Sequence, residues 1–218
     1  MSEMPPWSTL VPDTRAFLDE LAQNNSRDWF NSRKPEYEAR LKAPALALLD
    51  AMSAELEQQT GTLVTSKLWR PHRDVRFSKD KTPYHLHLHM GWSSDSGAFQ
   101  TLAWFFGIAP GYVCAGGGAM GFDKPTLDNW RKAVDGSAGK ALQTEIDALL
   151  AREFRIDDPE LKRVPAPFDK EHPRGELLRR KGLVLWSDWD GAELQPWLSE
   201  VFSALSPLMT QLAGMIRR

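Results

Sequence analysis

The chain has 218 residues, 42% of them hydrophobic, and 27 Lys and Arg against 29 Asp and Glu give a formal net charge of −2. That size can bury a substantial core within one domain, and the near balance of charge excludes a chain that is basic or acidic throughout. A single cysteine, Cys114, excludes an intrachain disulfide, and no apolar stretch approaches the roughly 20 residues needed to cross a bilayer.

The opening MSEMPPWSTL lacks the basic segment and apolar run of a signal peptide, which together with the lone cysteine points to a reducing cytoplasm and no membrane partner. From Asp13, residues Phe17, Leu18 and Leu21 recur at helical spacing; Asp13 or Thr14 is placed to cap the start and Asn24-Asn25 to stop it. Ser26 opens a second helix containing Trp29-Phe30. A third helix is predicted from Pro35, carrying Tyr37, Leu41, Leu46, Leu48, Leu49, Met52 and Leu56 and stopping before Gly61. Pro44 disputes its continuity. An interior proline removes a hydrogen bond, so either a kink near Leu41 or a junction of two helices is expected.

The period then changes. In YHLHLHMGW, Tyr84, Leu86, Leu88 and Met90 alternate with His85, His87, His89 and Gly91, the period of two expected of a strand with unlike faces. Residues 99–109 and 111–121 flank Pro110-Gly111 and read as an antiparallel hairpin. Helices are predicted over Pro125–Val134 and Lys140–Arg152, the second with an apolar stripe of Leu142, Ile146, Leu149 and Leu150. A proline-rich connection follows, in which His172-Pro173 introduces a short helix ending by Gly182. The strand LVLWSDW comes next, and the last helix runs from Pro196 with Trp197, Val201, Leu205, Leu208, Leu212 and Met215, bent at Pro207. No repeat or long linker interrupts the chain. The expectation is a single α+β domain over 1–218, a central antiparallel sheet flanked by N- and C-terminal helices: helical over 13–60, mainly strands over 66–121, helices and one strand over 122–218.

Charge is distributed unevenly. Residues 67–81 hold Lys67, Arg70, Arg73, Arg76, Lys79 and Lys81 against Asp74 and Asp80, a net of +4 that leaves −6 for the remainder. A fixed positive field concentrates anions, and an arginine fork held by a nearby Asp binds carboxylate or phosphate through two parallel hydrogen bonds. The candidate ligand-binding residues are therefore Arg73, Asp74, Arg76, Lys79, Lys81 and Tyr84, and the ligand is an anionic small molecule bearing phosphate or carboxylate. The acidic remainder repels a long polyanion, which disfavours nucleic acid and confines any contact with it to the island. If 73–77 is a strand, Arg73 and Arg76 diverge; if the backbone bulges, they converge. The alternative is a structural or protein-interaction module in which the Arg–Asp motif is an internal network.

His85, His87 and His89 form a second alternative. Placed along one strand face about 7 Å apart, an H-x-H pair binds zinc or another first-row metal if a neighbouring strand adds a ligand, although three in line do not readily share one ion. A half-buried polar strand face is the simpler account. Gly116-Gly117-Gly118 lacks both the G-x-x-x-x-G-K-[ST] and G-x-G-x-x-G patterns and reads as a strand approached closely by another backbone or side chain. Cys114 lies on an apolar strand and reads as core. The sequence specifies no reaction and no cofactor, and its oligomeric partners are not read from it.

The run WRPHRDVRFSKDKTPYH, with NNSRDWF and K-x-x-Y-E before it, resembles the family of conserved proteins from bacteria and eukaryotes catalogued as domain of unknown function 2461, whose hallmark is R-D-x-R-F-S-K-D-K-x-P-Y. The likeness continues through Gly116-Gly117-Gly118 and Arg131 to the late K-R-x-P-x-x-F-D-K-x-H-P stretch. It implies a single α+β domain and brings no established activity. Members usually carry Lys and a small or polar residue after the Pro-Tyr, where this chain has His-Leu-His-Leu-His, so the resemblance does not extend to the histidines.

Overall fold

The structure is a computed structural model and describes residues 4–94 and 102–216. It has the expected α+β architecture. Seven helices are described: α1 (Leu10–Gln23), α2 (Arg27–Glu36), α3 (Ala43–Thr60), α4 (Lys124–Asp135), α5 (Ser137–Leu150), α6 (Gly175–Leu178) and α7 (Leu194–Ile216). The strands are β1 (Thr65–Leu68), β2 (Leu88–Ser93), β3 (Ala103–Ala109), β4 (Tyr112–Ala119), β5 (Arg155–Ile156) and β6 (Leu183–Asp188). They form one antiparallel sheet in the order β1-β2-β3-β4-β6-β5. Among the described residues, no helix is long and apolar enough to cross a membrane.

The chain groups into two compact units: residues 1–92, 105–115 and 188–199 in the first, 93–104, 116–187 and 200–218 in the second. In the first, α1 buries Leu10, Phe17, Leu18 and Leu21. It begins three residues before the expected Asp13, with Thr9 at its N-cap. Pro12 is accommodated because a first-turn residue needs no intrahelical donor, and Asp13 becomes a first-turn acid that accepts the Thr9 hydroxyl hydrogen at 2.9 Å. Ser26 caps α2 by accepting the Trp29 N–H. The junction expected near Leu41 is a π-helical turn over Tyr37–Lys42, which joins α2 to α3. Pro44 follows directly on that turn, so the departure from regular α-helical bonding falls beside the residue that lacks a donor, and Pro35 lies inside the last turn of α2 instead of opening a new helix. Gly61, at φ 67°, closes α3 in the left-handed conformation.

The alternating run is a strand only from Leu88 onward. Leu88 and Met90 are buried, but Leu86 precedes β2 and is 37% exposed, so the expected apolar face stops short of it. Trp92 is fully buried and donates its indole N–H to the Leu49 carbonyl at 3.0 Å. The β3–β4 hairpin turns at Pro110-Gly111 as expected; the first residues of its predicted leading strand, Phe99, Gln100 and Thr101, lie outside the described residues.

In the second unit, β6 pairs with the two-residue β5 through Arg155↔Trp186 and Ile156↔Leu185. The glycine triplet lies in β4 and performs the close approach expected of it. A Cβ on Gly118, whose φ is 144°, would sit 1.9 Å from the Leu183 carbonyl oxygen, and one on Gly116 would sit 2.6 Å from that of Leu185. Trp130 of α4 is fully buried and donates to the Leu177 carbonyl at 3.1 Å, tying α4 to α6. Of the predicted stripe of the last helix, Val201, Leu205, Leu208, Leu212 and Met215 belong to this unit and are buried, as is Trp197 in the first.

Candidate functional site

Residues 72–85 form a loop closed at its base by backbone pairing. His72 and Tyr84 make an isolated antiparallel bridge, the Arg73 N–H donates to the Pro83 carbonyl at 2.8 Å, and the His85 N–H donates to that of Pro71 at 2.8 Å. Asn25 adds a side-chain clasp. Its carboxamide donates to the Tyr84 carbonyl at 3.0 Å and accepts the Tyr84 N–H at 3.1 Å, copying a strand partner with a side chain. The Tyr84 ring is 2% exposed and stacks on Phe30, with centroids 4.1 Å apart and planes 15° from parallel. Phe30 in turn meets Tyr37 at 5.2 Å and His72 at 6.1 Å. The NNSRDWF, K-x-x-Y-E and hallmark segments thus converge on the base of one loop.

Within the loop the charged groups mostly serve each other. The guanidinium of Arg73, 23% exposed, donates to the Asp80 carboxylate at 2.6 Å, to the Thr82 carbonyl at 3.1 Å and to the Thr82 hydroxyl. The Thr82 N–H, the Arg73 guanidinium and the Thr82 hydroxyl together hold the Asp80 carboxyl down to about 2. Arg76 and Asp74 form a bidentate pair at 2.6 and 3.0 Å, which lowers the Asp74 pKa. The Lys81 ammonium donates to the carbonyl of Val75 at 3.0 Å. Neither arrangement weighed for the arginines is adopted. Residues 73–77 form a turn and not a strand, and Arg73 and Arg76 each engage a separate carboxylate instead of converging on one point. Lys79 and Arg70 are exposed, and neither makes a side-chain hydrogen bond or ion pair among the described residues. At the tip, Phe77 is 96% exposed with the Arg76 guanidinium 5.9 Å from its ring centre.

The three histidines stack as a ladder, His85 on His87 at 4.6 Å and His87 on His89 at 3.7 Å with planes 11° apart. Face-to-face rings send their nitrogen lone pairs in parallel, not toward a common point. Among the described residues no group of three or more His, Cys, Asp or Glu is arranged to hold a metal ion. His89 Nε2 shares a hydrogen with the Tyr112 hydroxyl at 2.7 Å, and a Cβ at Gly107 would meet the His89 ring at 2.9 Å. Burial, reinforced by the neighbouring imidazoles, pushes His87 and His89 down to about 4; His85 is lowered by burial and by Arg73 and Arg70.

This ladder makes stability sensitive to acid. The unfolded chain takes up protons on His87 and His89 near pH 6.5, whereas the native one resists until about pH 4. Stability from this source is therefore complete above pH 6.5 and is lost as pH falls toward 4. With a tenfold change in proton affinity worth about 1.4 kcal/mol and partial exposure discounted, the loss is on the order of 2–4 kcal/mol. Urea midpoints at pH 7.5 and 5.0 test it. The drop should shrink by at least half in a His87→Gln/His89→Gln double variant, and an equal drop in both proteins would place the acid sensitivity elsewhere.

The sequence did not single out Asn25 or Phe30 as partners of Tyr84, nor Thr82 as the partner of Arg73. Their signal was their place inside the same motifs. The fold and the braced loop define an α+β protein organised around its R-D-x-R-F-S-K-D-K-x-P-Y segment. The chain belongs to the family described as Conserved hypothetical protein (DUF2461), whose model matches residues 13–210. No curated protein matches the chain.

Proposed function

We propose that the protein is an interaction module whose hallmark loop is an internal Arg–Asp network that presents Phe77 and Arg76 to a protein partner. The observation that carries this reading is the 96% exposure of Phe77 at the tip of a loop fastened by Asn25, Tyr84, Arg73 and Lys81. An exposed aromatic beside an arginine has the composition of an interface anchor, and a rigid display lowers the entropy lost on binding. The surrounding cations Arg70 and Lys79 favour an apolar socket rimmed by carboxylates. The anion-binding reading of Arg73, Asp74, Arg76, Lys79, Lys81 and Tyr84 has less support, because Arg73, Arg76 and Lys81 already have partners and Tyr84 is buried.

Three variants separate brace from tip. Arg73→Ala removes a part-buried guanidinium and should lower Tm by roughly 3–8 °C. Phe77→Ser and Arg76→Ala touch only exposed groups and should leave Tm within about 2 °C while losing the partner recovered by wild-type protein in quantitative affinity capture. Equal recovery of every captured protein by wild type and by Phe77→Ser would sink the docking role and leave a purely structural network.

A further inference from the structure

A second concentration of positive charge lies in the second compact unit, within a segment that composition alone does not separate from its surroundings. Residues 162–181 carry seven Lys and Arg against three Asp and Glu, a net of +4. This segment lines an open cleft of about 560 Å3, with Lys162, Arg163, Lys170 and Arg179 on its sides and His172 and Glu176 in its wall. Cavities that take small ligands span roughly 300–1,000 Å3.

The wall is fixed by groups that are already engaged. The Arg174 guanidinium donates to the carbonyl oxygens of Val134 at 2.7 Å and Asp135 at 2.9 Å, and its backbone N–H donates to His172 Nδ1 at 3.0 Å. His172 Nε2 lies 3.2 Å from the Asp135 carboxylate, so both ring nitrogens are occupied and the imidazole holds the wall. Arg180, 3% exposed, donates to Glu176 at 2.6 Å and to the Asp157 carbonyl at 2.6 Å. The wall carboxylate of Glu176 is thereby matched to a cation outside the cavity lining. Lys162, Arg163, Lys170 and Arg179 remain, and none makes a side-chain hydrogen bond or ion pair among the described residues. Four uncompensated like charges around one cavity repel one another, and a ligand bearing several negative charges relieves that repulsion.

We propose that this cavity binds a small molecule carrying two or more phosphate groups, such as a pyrophosphate, a nucleoside diphosphate or a sugar bisphosphate. A single phosphate, with at most two negative charges near neutral pH, leaves much of that positive charge uncompensated. A dicarboxylate brings two negative charges to four positive ones, whereas a pyrophosphate group brings three or more and offers oxygens to both guanidinium forks. The inference is independent of the docking role of the hallmark loop, since it uses other residues and another ligand.

Isothermal titration calorimetry at 150 mM NaCl with pyrophosphate, and in parallel with inorganic phosphate and succinate, tests it. Pyrophosphate should bind at one site at least tenfold more tightly than either comparison anion. Arg163→Glu/Lys170→Glu, both at exposed positions, should weaken it at least tenfold with an unchanged thermal melt; if that pair fails to fold, Lys162→Ala/Arg163→Ala should weaken it in the same direction. Arg76→Ala and Phe77→Ser should leave it unchanged. Absence of pyrophosphate binding, equal affinity for succinate, indifference to the cavity substitutions, or loss on Arg76→Ala would each overturn the proposal.

Discussion

Gly118→Ala is expected to lower the melting temperature by roughly 10 °C or more, corresponding to a loss on the order of 4 kcal/mol. Two costs coincide. The backbone at 118 has φ 144°, a region that residues with a Cβ rarely adopt, and the added methyl would lie 1.9 Å from the Leu183 carbonyl oxygen and 2.9 Å from Val184 Cα. Both neighbours belong to the backbone of β6, so no side-chain rotation relieves the overlap and the strand itself must move. Gly121→Ala is the internal control: three residues further along, nothing lies within 4 Å of its Cβ position, and its effect should stay within about 1 kcal/mol. Thermal melts of the two variants decide the matter, and similar melting temperatures would refute the tight β4–β6 approach.

The same glycines show what could be read without coordinates. Three glycines in an apolar strand with no phosphate-loop pattern already indicated close approach by a backbone or a side chain; which strand approaches them depends on a pairing between residues more than 60 positions apart, and local sequence carries no record of that. Helices were legible wherever one face is buried, as in α7, because burial imposes a 3.6-residue period on the apolar side chains. The π-helical turn announced itself only as a conflict between the apolar period and Pro44. Two-residue β5 left no periodic signal, being no longer than a single repeat of a strand's period of two. In the alternating run, the period of two was real from Leu88 but was extended through Leu86, where the chain has left the sheet to close the hallmark loop.

Charge was a less direct guide than period. Counting cations located the hallmark island correctly as a feature, but a count does not distinguish cations that hold a loop from cations that await a ligand. Asp80 two residues before Thr82, and Asp74 two before Arg76, each accept a backbone N–H two residues on, a local geometry that turn-forming acids favour. That spacing was a sign that the carboxylates were engaged within the loop. The equal surplus over 162–181 is spread across 20 residues with acids interleaved, and folding, not spacing, gathers four of its cations around one cavity.

Tyr84→Ala should cost about 3–5 kcal/mol, the range for emptying a buried aromatic site. The ring is 2% exposed between Phe30 and His72, so its loss leaves a void beneath the loop and removes the surface on which three family segments meet. Tyr84→Phe keeps the stack and should change stability by less than about 1 kcal/mol. Asn25→Ala keeps the ring but removes both hydrogen bonds to the Tyr84 backbone, and an intermediate loss of roughly 1–3 kcal/mol is expected. Hydrogen exchange reports whether the damage reaches the loop: the Arg73 and His85 amides, which close its base, should exchange faster in Tyr84→Ala and Asn25→Ala but not in Tyr84→Phe. A Tyr84→Ala protein as stable as wild type, with those amides still protected, would show that the aromatic base does not hold the loop. If the base does hold it, Tyr84→Ala must also weaken partner capture without altering a single atom of the exposed tip, whereas Phe77→Ser weakens capture at full stability. That pair of outcomes separates a side chain that makes the contact from one that keeps it in place.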